Sequence, residues 1–179
     1  EWLEQVSESV IDPSRDIVDP HHHLWPQASM GYNVDELLAD TLDGHAVSQT
    51  VFMECGAAYR REGPNFLRCV GETEFVAQAA RVARERRAST QIAGIVAHAD
   101  LRVAQLDDVL DAHEEAAEGL FRGIRHAGAA AGDLEGLAIP GGSDRNLISN
   151  EAFRAGVARL GERGLTYDTW LYHFQINDF

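Results

Sequence analysis

Basic residues are scarce in this sequence: 15 Lys and Arg stand against 29 Asp and Glu, a formal net charge of -14 over 179 residues. Such an excess repels phosphate backbones and anionic lipid, which excludes nucleic acid and charged membrane surfaces as partners. Cysteine is scarcer still. Cys55 and Cys69 form no Cys-x-x-Cys, so neither a disulfide framework nor a zinc ribbon is expected, and both thiols are read as free. No apolar run approaches the roughly 20 residues of a membrane helix, and Glu1-Trp2-Leu3-Glu4 lacks the basic and apolar regions of a secretion signal. The sequence therefore predicts a cytoplasmic protein, and Glu1 in place of Met is read as a mark of trimming. Internal repeats and low-complexity tracts are missing as well. What is there, 45% hydrophobic and 25% charged residues, is the composition of a folded globular domain.

Five short segments rich in β-branched and apolar residues read as buried strands: 17–20, 50–53, 92–97, 121–124 and 165–171. Between them the period changes. Phe75, Val76, Ala79, Ala80, Val82 and Ala83 recur at helical spacing within 72–87, with charges on the other face. The pattern returns over 103–118 and stops at Gly119, and shorter helices are expected at 34–41 and 150–160. Strands alternating with helices predict an α/β fold of parallel strands joined by right-handed crossovers, the helices covering the sheet. Two stretches that directly follow strands, 57–71 and the Gly- and Ala-rich 127–143, read as long loops at the strand ends where α/β enzymes place their chemistry.

The strongest chemical signal is Asp19-Pro20-His21-His22-His23-Leu24-Trp25, an apolar strand running into three histidines. Side chains alternate along a strand, so His21 and His23 point one way and His22 the other, giving two imidazoles that can share one ion. The plain alternative is a polar cluster packed on Trp25. A second signal is positional: every expected strand ends in a polar or ionisable group. These are Glu54-Cys55, then His98 and Asp100, then Arg125-His126, then Tyr172-His173 with Gln175 beyond. One such residue means little, but catalytic groups of a barrel come from several strand ends at once. His45 and His113 fall in loop or helical stretches and read as surface residues.

These residues together resemble the amidohydrolase-related family, which includes 2-pyrone-4,6-dicarboxylate lactonase. The segment Ile17-Val18-Asp19-Pro20-His21-His22-His23-Leu24-Trp25 is similar to its first strand and Thr50-Val51-Phe52-Met53-Glu54-Cys55-Gly56 to its second. Ala93-Gly94-Ile95-Val96-Ala97-His98-Ala99-Asp100-Leu101 resembles the third, Phe121-Arg122-Gly123-Ile124-Arg125-His126 the fourth, and Leu165-Thr166-Tyr167-Asp168-Thr169-Trp170-Leu171-Tyr172-His173 the fifth. The resemblance implies a (β/α)8 TIM barrel, of which about the first five β/α units are present as the N-terminal portion of a single domain over 1–179, with 1–16 as an extension. A complete barrel takes about 250 residues. The strands that in the family supply a further histidine and a strand-eight aspartate are not in the sequence, so the chain alone is expected to be inactive, and its open sheet edges favour homo-oligomers.

The implied chemistry is hydrolysis of a lactone or similar cyclic ester by an activated water. His21 and His23, joined by His173 on the family's precedent, would hold a divalent ion, zinc first, with manganese or a metal-free site as alternatives. Arg125 would clamp the carboxylate of a small substrate, unless it bridges instead to a neighbouring acidic side chain. His126, His98 or Tyr172 would orient the carbonyl. Glu54 would be a ligand, a partner fixing a histidine tautomer, or a structural hydrogen-bonding group. Non-oxidative decarboxylation of an aromatic or unsaturated acid on the same scaffold is the second reading, distinguished by release of carbon dioxide. A non-catalytic ligand-binding barrel fragment is the third.

Overall fold

A computed structural model of the chain describes residues 8–26, 31–131 and 143–179. Its strands are β1 (Asp16–His22), β2 (Ala46–Met53), β3 (Gln91–His98), β4 (Phe121–Arg125) and β5 (Thr166–Asp168). The helices α1 (Val34–Asp40), α2 (Val70–Glu85), α3 (Leu106–Ala116) and α4 (Glu151–Glu162) alternate with them. Every strand pair is parallel, and the sheet order is β1-β2-β3-β4-β5. Each strand thus lies beside its sequence neighbours. That order is the one successive units of a barrel follow, whereas a doubly wound sheet reverses at an internal switch point. Edge strands β1 and β5 each have one neighbour among the described residues.

The helices form where the periodicity places them. Glu36 accepts the amide of Asn33 at 2.8 Å to open α1, and the Asn150 side chain accepts the amide of Phe153 at 3.0 Å to open α4. Beyond α3 the chain turns through Gly119 at φ +84°, where a side chain would be strained. The apolar stripes of α2, α3 and α4 (Val76, Val109, Leu110, Leu160) meet the strand residues Phe52, Ile95 and Ile124, all at most 1% exposed. The core therefore lies between the helices and one face of the sheet. The other face holds the candidate site at its C-terminal edge. Among the described residues no helix is long and apolar enough to cross a membrane.

Two expectations need correction. The fifth strand was expected over 165–171 but pairs with β4 only over Thr166–Asp168. Just past it, the Thr169 hydroxyl donates to the His126 carbonyl and accepts the Gly128 amide, while the Gln175 side chain accepts the Ala130 amide and donates to the Gly128 carbonyl. These side-chain bonds replace the ladder and turn the chain into a short 3-10 turn, His173–Gln175. His113, read as a surface residue, is fully buried on α3. Of the expected loop 127–143, residues 132–142 lie outside the described residues, as do residues 1–7 of the expected extension 1–16.

Candidate active site

The alternation of β1 decides how its three histidines are used. His22 turns toward the core, packs edge-on against Phe52 and is 7% exposed, and burial lowers its pKa from 6.5 to about 4. His21 and His23 share the opposite face, with Nε2 atoms 3.2 Å apart. The Nδ1 of His23 lies 2.7 Å from the Met53 carbonyl. A carbonyl can only accept, so Nδ1 carries the proton and Nε2 keeps its lone pair. Burial holds the His23 pKa below its ordinary value despite that bond. Among the described residues no group of three or more His, Cys, Asp or Glu gathers as a metal site. His173 sits exposed in the turn after β5, at the edge of the sheet opposite β1, and does not complete the pair as a third ligand here.

Across the middle of the sheet, His98, Arg125 and Asp168 are in register at the C-terminal ends of β3, β4 and β5. Residues in register on parallel strands share a face, so all three belong to the site side. Arg125 donates from Nε to Glu54 Oε1 at 2.8 Å and from Nη2 to the Glu54 carbonyl. The carboxylate-bridging role weighed for Arg125 is thus the one the geometry displays. His98 Nδ1 donates to the Arg125 carbonyl at 3.2 Å.

A cleft of about 480 Å³ opens at the ends of β2, β3 and β4, lined by Glu54, Tyr59, His98, Arg102, His126 and Asp144 among others. Tyr59 stacks on His98 at 6.4 Å between ring centroids. It is carried on the loop after β2, which Glu72 of α2 fastens by accepting the amides of Cys55 at 3.2 Å and Ala57 at 2.6 Å. Glu72 is 2% exposed, and burial raises its pKa from 4.5 to about 7. His126 accepts the amide of Leu101 on Nδ1 at 3.3 Å, and burial lowers its pKa to about 4. Arg102 grips Asp100 through two bonds of 2.8 and 2.9 Å and reaches Asp144 at 3.2 Å.

A solved amidohydrolase from Burkholderia multivorans with bound zinc superposes with a TM-score of 0.58 at 22% identity, covering 90% of this chain and 51% of that one. The fold is shared with that amidohydrolase. A second structure of the amidohydrolase from the same organism, with bound HEPES, gives 0.57 at 22% identity over 90% and 50%. The uncharacterised protein y4mH of Sinorhizobium fredii is 28% identical over 185 residues, 91% of this chain and 56% of that protein. No protein-family model matches. The chain spans about half the length of the proteins it matches.

Within this amidohydrolase-like fold the sequence-based candidates divide. Glu54, His98 and His126 line the cleft, with Arg125 bonded to Glu54. Tyr172 stacks on Phe174 at 5.3 Å between centroids and, with His173, lies outside the cleft lining. Sequence reasoning missed Tyr59, Glu72, Asp168 and His113. Asp168 is the polar residue that ends β5, five residues before the expected His173. His113 donates from Nε2 to the His98 carbonyl at 3.0 Å, its Nδ1 facing the Thr73 hydroxyl at 2.8 Å, so α3 helps to fix the end of β3. Nothing in the local pattern marks that role.

Proposed function

We propose that this chain is the N-terminal portion, over 1–179, of a metal-dependent hydrolase of amidohydrolase type. Its substrate is a small carboxylate-bearing lactone or similar cyclic ester, and its ion, zinc in first place, is bound by His21 and His23. One observation carries this reading: two Nε2 atoms 3.2 Å apart on one side of β1. Two nitrogens bound to one tetrahedral zinc at about 2.0–2.1 Å lie about 3.3 Å from each other, so the donor pair fits. The Met53 carbonyl supports the same reading by fixing the tautomer that leaves His23 Nε2 open to a metal. The shared fold of a zinc-bound amidohydrolase supports it independently.

A divalent ion supplies polarisation of a carbonyl and a water whose pKa falls to about 7. The chain's own residues do the rest. Arg125 and Glu54 tie the ends of β2 and β4 together across β3. Arg102 is the cation lining the cleft for a substrate carboxylate, and Tyr59 offers an aromatic wall. The test uses the protein at its full natural length, assayed for bound metal and for turnover of a panel of lactones. Chelation is expected to abolish activity, zinc or manganese to restore it, and the His21→Ala/His23→Ala variant to lose both. Retention of metal and turnover by that variant would sink the assignment.

A further inference from the structure

His98 and His126 both line the cleft, yet their backbone partners are of opposite kinds. The Arg125 carbonyl faces His98 Nδ1 at 3.2 Å, and a carbonyl oxygen has no proton to give. His98 must therefore carry hydrogen on Nδ1, which leaves Nε2 with a lone pair. The Leu101 amide faces His126 Nδ1 at 3.3 Å, and an amide nitrogen has no lone pair to offer. His126 must therefore accept on Nδ1 and carry its hydrogen on Nε2. With each Nδ1 fastened to the wall, each Nε2 is directed away from it. Neither Nε2 has a hydrogen bond among the described residues. The ring centroids are 5.7 Å apart at 70°, close enough for both to reach one bound group.

We propose that His98 and His126 form a fixed-tautomer pair acting on an acyl carbonyl held in this cleft, His98 as proton acceptor and His126 as neutral hydrogen-bond donor. In the step, a water oxygen bonds to the acyl carbon as one water proton passes to His98 Nε2. The carbonyl electron pair moves onto its oxygen, which His126 Nε2–H holds. On collapse the carbon–oxygen bond to the leaving group breaks, and the leaving oxygen takes the proton back from His98. Water and ester become acid and alcohol, and both imidazoles end as they began. Burial suits His126 to its task, since a ring whose pKa is lowered to about 4 stays neutral and donates without ionising. His98 is kept in place twice, through its own Nδ1 and through the His113 bond to its carbonyl.

This chemical use rests on the hydrolase reading, whereas the proton positions do not, so they are measured separately. Long-range proton–nitrogen NMR spectra of the full-length protein labelled with 15N-histidine are expected to show His98 protonated on Nδ1 alone and His126 on Nε2 alone. Signals are assigned by their loss in His98→Gln and His126→Gln. The opposite tautomer at either ring, or exchange between tautomers, overturns the pair. With a lactone that the protein hydrolyses, each variant is expected to lower kcat by about 100-fold or more with KM changed only a few-fold. An unchanged kcat overturns the chemical role. Assigned tautomers in a protein that hydrolyses no ester or lactone uphold the pair's protonation and sink the hydrolase reading. Turnover with reversed tautomers does the converse.

Discussion

Arg125 on β4 reaches past β3 to Glu54 at the end of β2, bonding its carboxylate at 2.8 Å through Nε and its backbone carbonyl through Nη2. The two side chains are 11% and 14% exposed, so the pair is largely removed from water. Removing one member of such a pair leaves the other charge uncompensated, whereas removing both does not. Arg125→Met is expected to lower stability by about 3 kcal/mol, with Glu54→Gln/Arg125→Met recovering most of the loss. Urea unfolding of the single and double variants checks this. Equal losses in both would show that the pair is not a coupled unit.

His113 gives the protein a defined acid sensitivity. Burial lowers its pKa from 6.5 to about 4, so between those values the unfolded chain takes up a proton that the native state refuses. Stability from this group is complete above pH 6.5 and is lost as pH falls toward 4. His113→Gln, which removes the titration, is expected to reduce the loss between pH 6.5 and 5 by about 2 kcal/mol. Unfolding measured at several pH values gives the comparison, and parallel curves would refute it.

Glu72 works in the opposite sense. Its pKa rises from 4.5 to about 7, so the native state keeps a proton that the unfolded chain has released, and stability declines as pH rises through that range. Glu72→Gln preserves an oxygen for the Cys55 and Ala57 amides. The variant's stability relative to the parent is therefore expected to improve from pH 5 to pH 8, read from the same unfolding series. A ratio that stays flat would mean that the carboxyl ionises normally.

Two glycines of α4 make a controlled comparison. A Cβ at Gly156 would run into the Leu101 backbone carbonyl, whereas one at Gly161 meets nothing within 4 Å. Alanine favours a helix over glycine by about 1 kcal/mol, but forced packing costs about 1–3 kcal/mol. Gly161→Ala is expected to raise the melting temperature and Gly156→Ala to lower it. Thermal unfolding that ranks them the other way would contradict the close contact of α4 with the loop after β3.

Much of the architecture was readable because it is local. Apolar, β-branched runs and the period-3.6 patterns marked each strand and α-helix found among the described residues, with ends shifted by a few residues, and strand alternation foretold that His21 and His23 share a side while His22 does not. The failures share a cause. Over 165–171, apolar content looked like a full strand, but Thr169 and Gln175 find partners in the loop after β4, more than 40 residues away. His113 lies in an amphipathic helix and resembled its exposed neighbours until its distant partners, Thr73 and the His98 carbonyl, were brought to it.

The sequence by itself determined the alternation of strand and helix, the histidine spacing on β1 and the polar residue at each strand end, since these depend on neighbours within a turn or a pleat. Only the tertiary structure decided which charge meets which, which nitrogen holds each proton and which histidine is sealed from water. Those outcomes depend on strand register and on backbone groups delivered from far along the chain, and no local pattern encodes them.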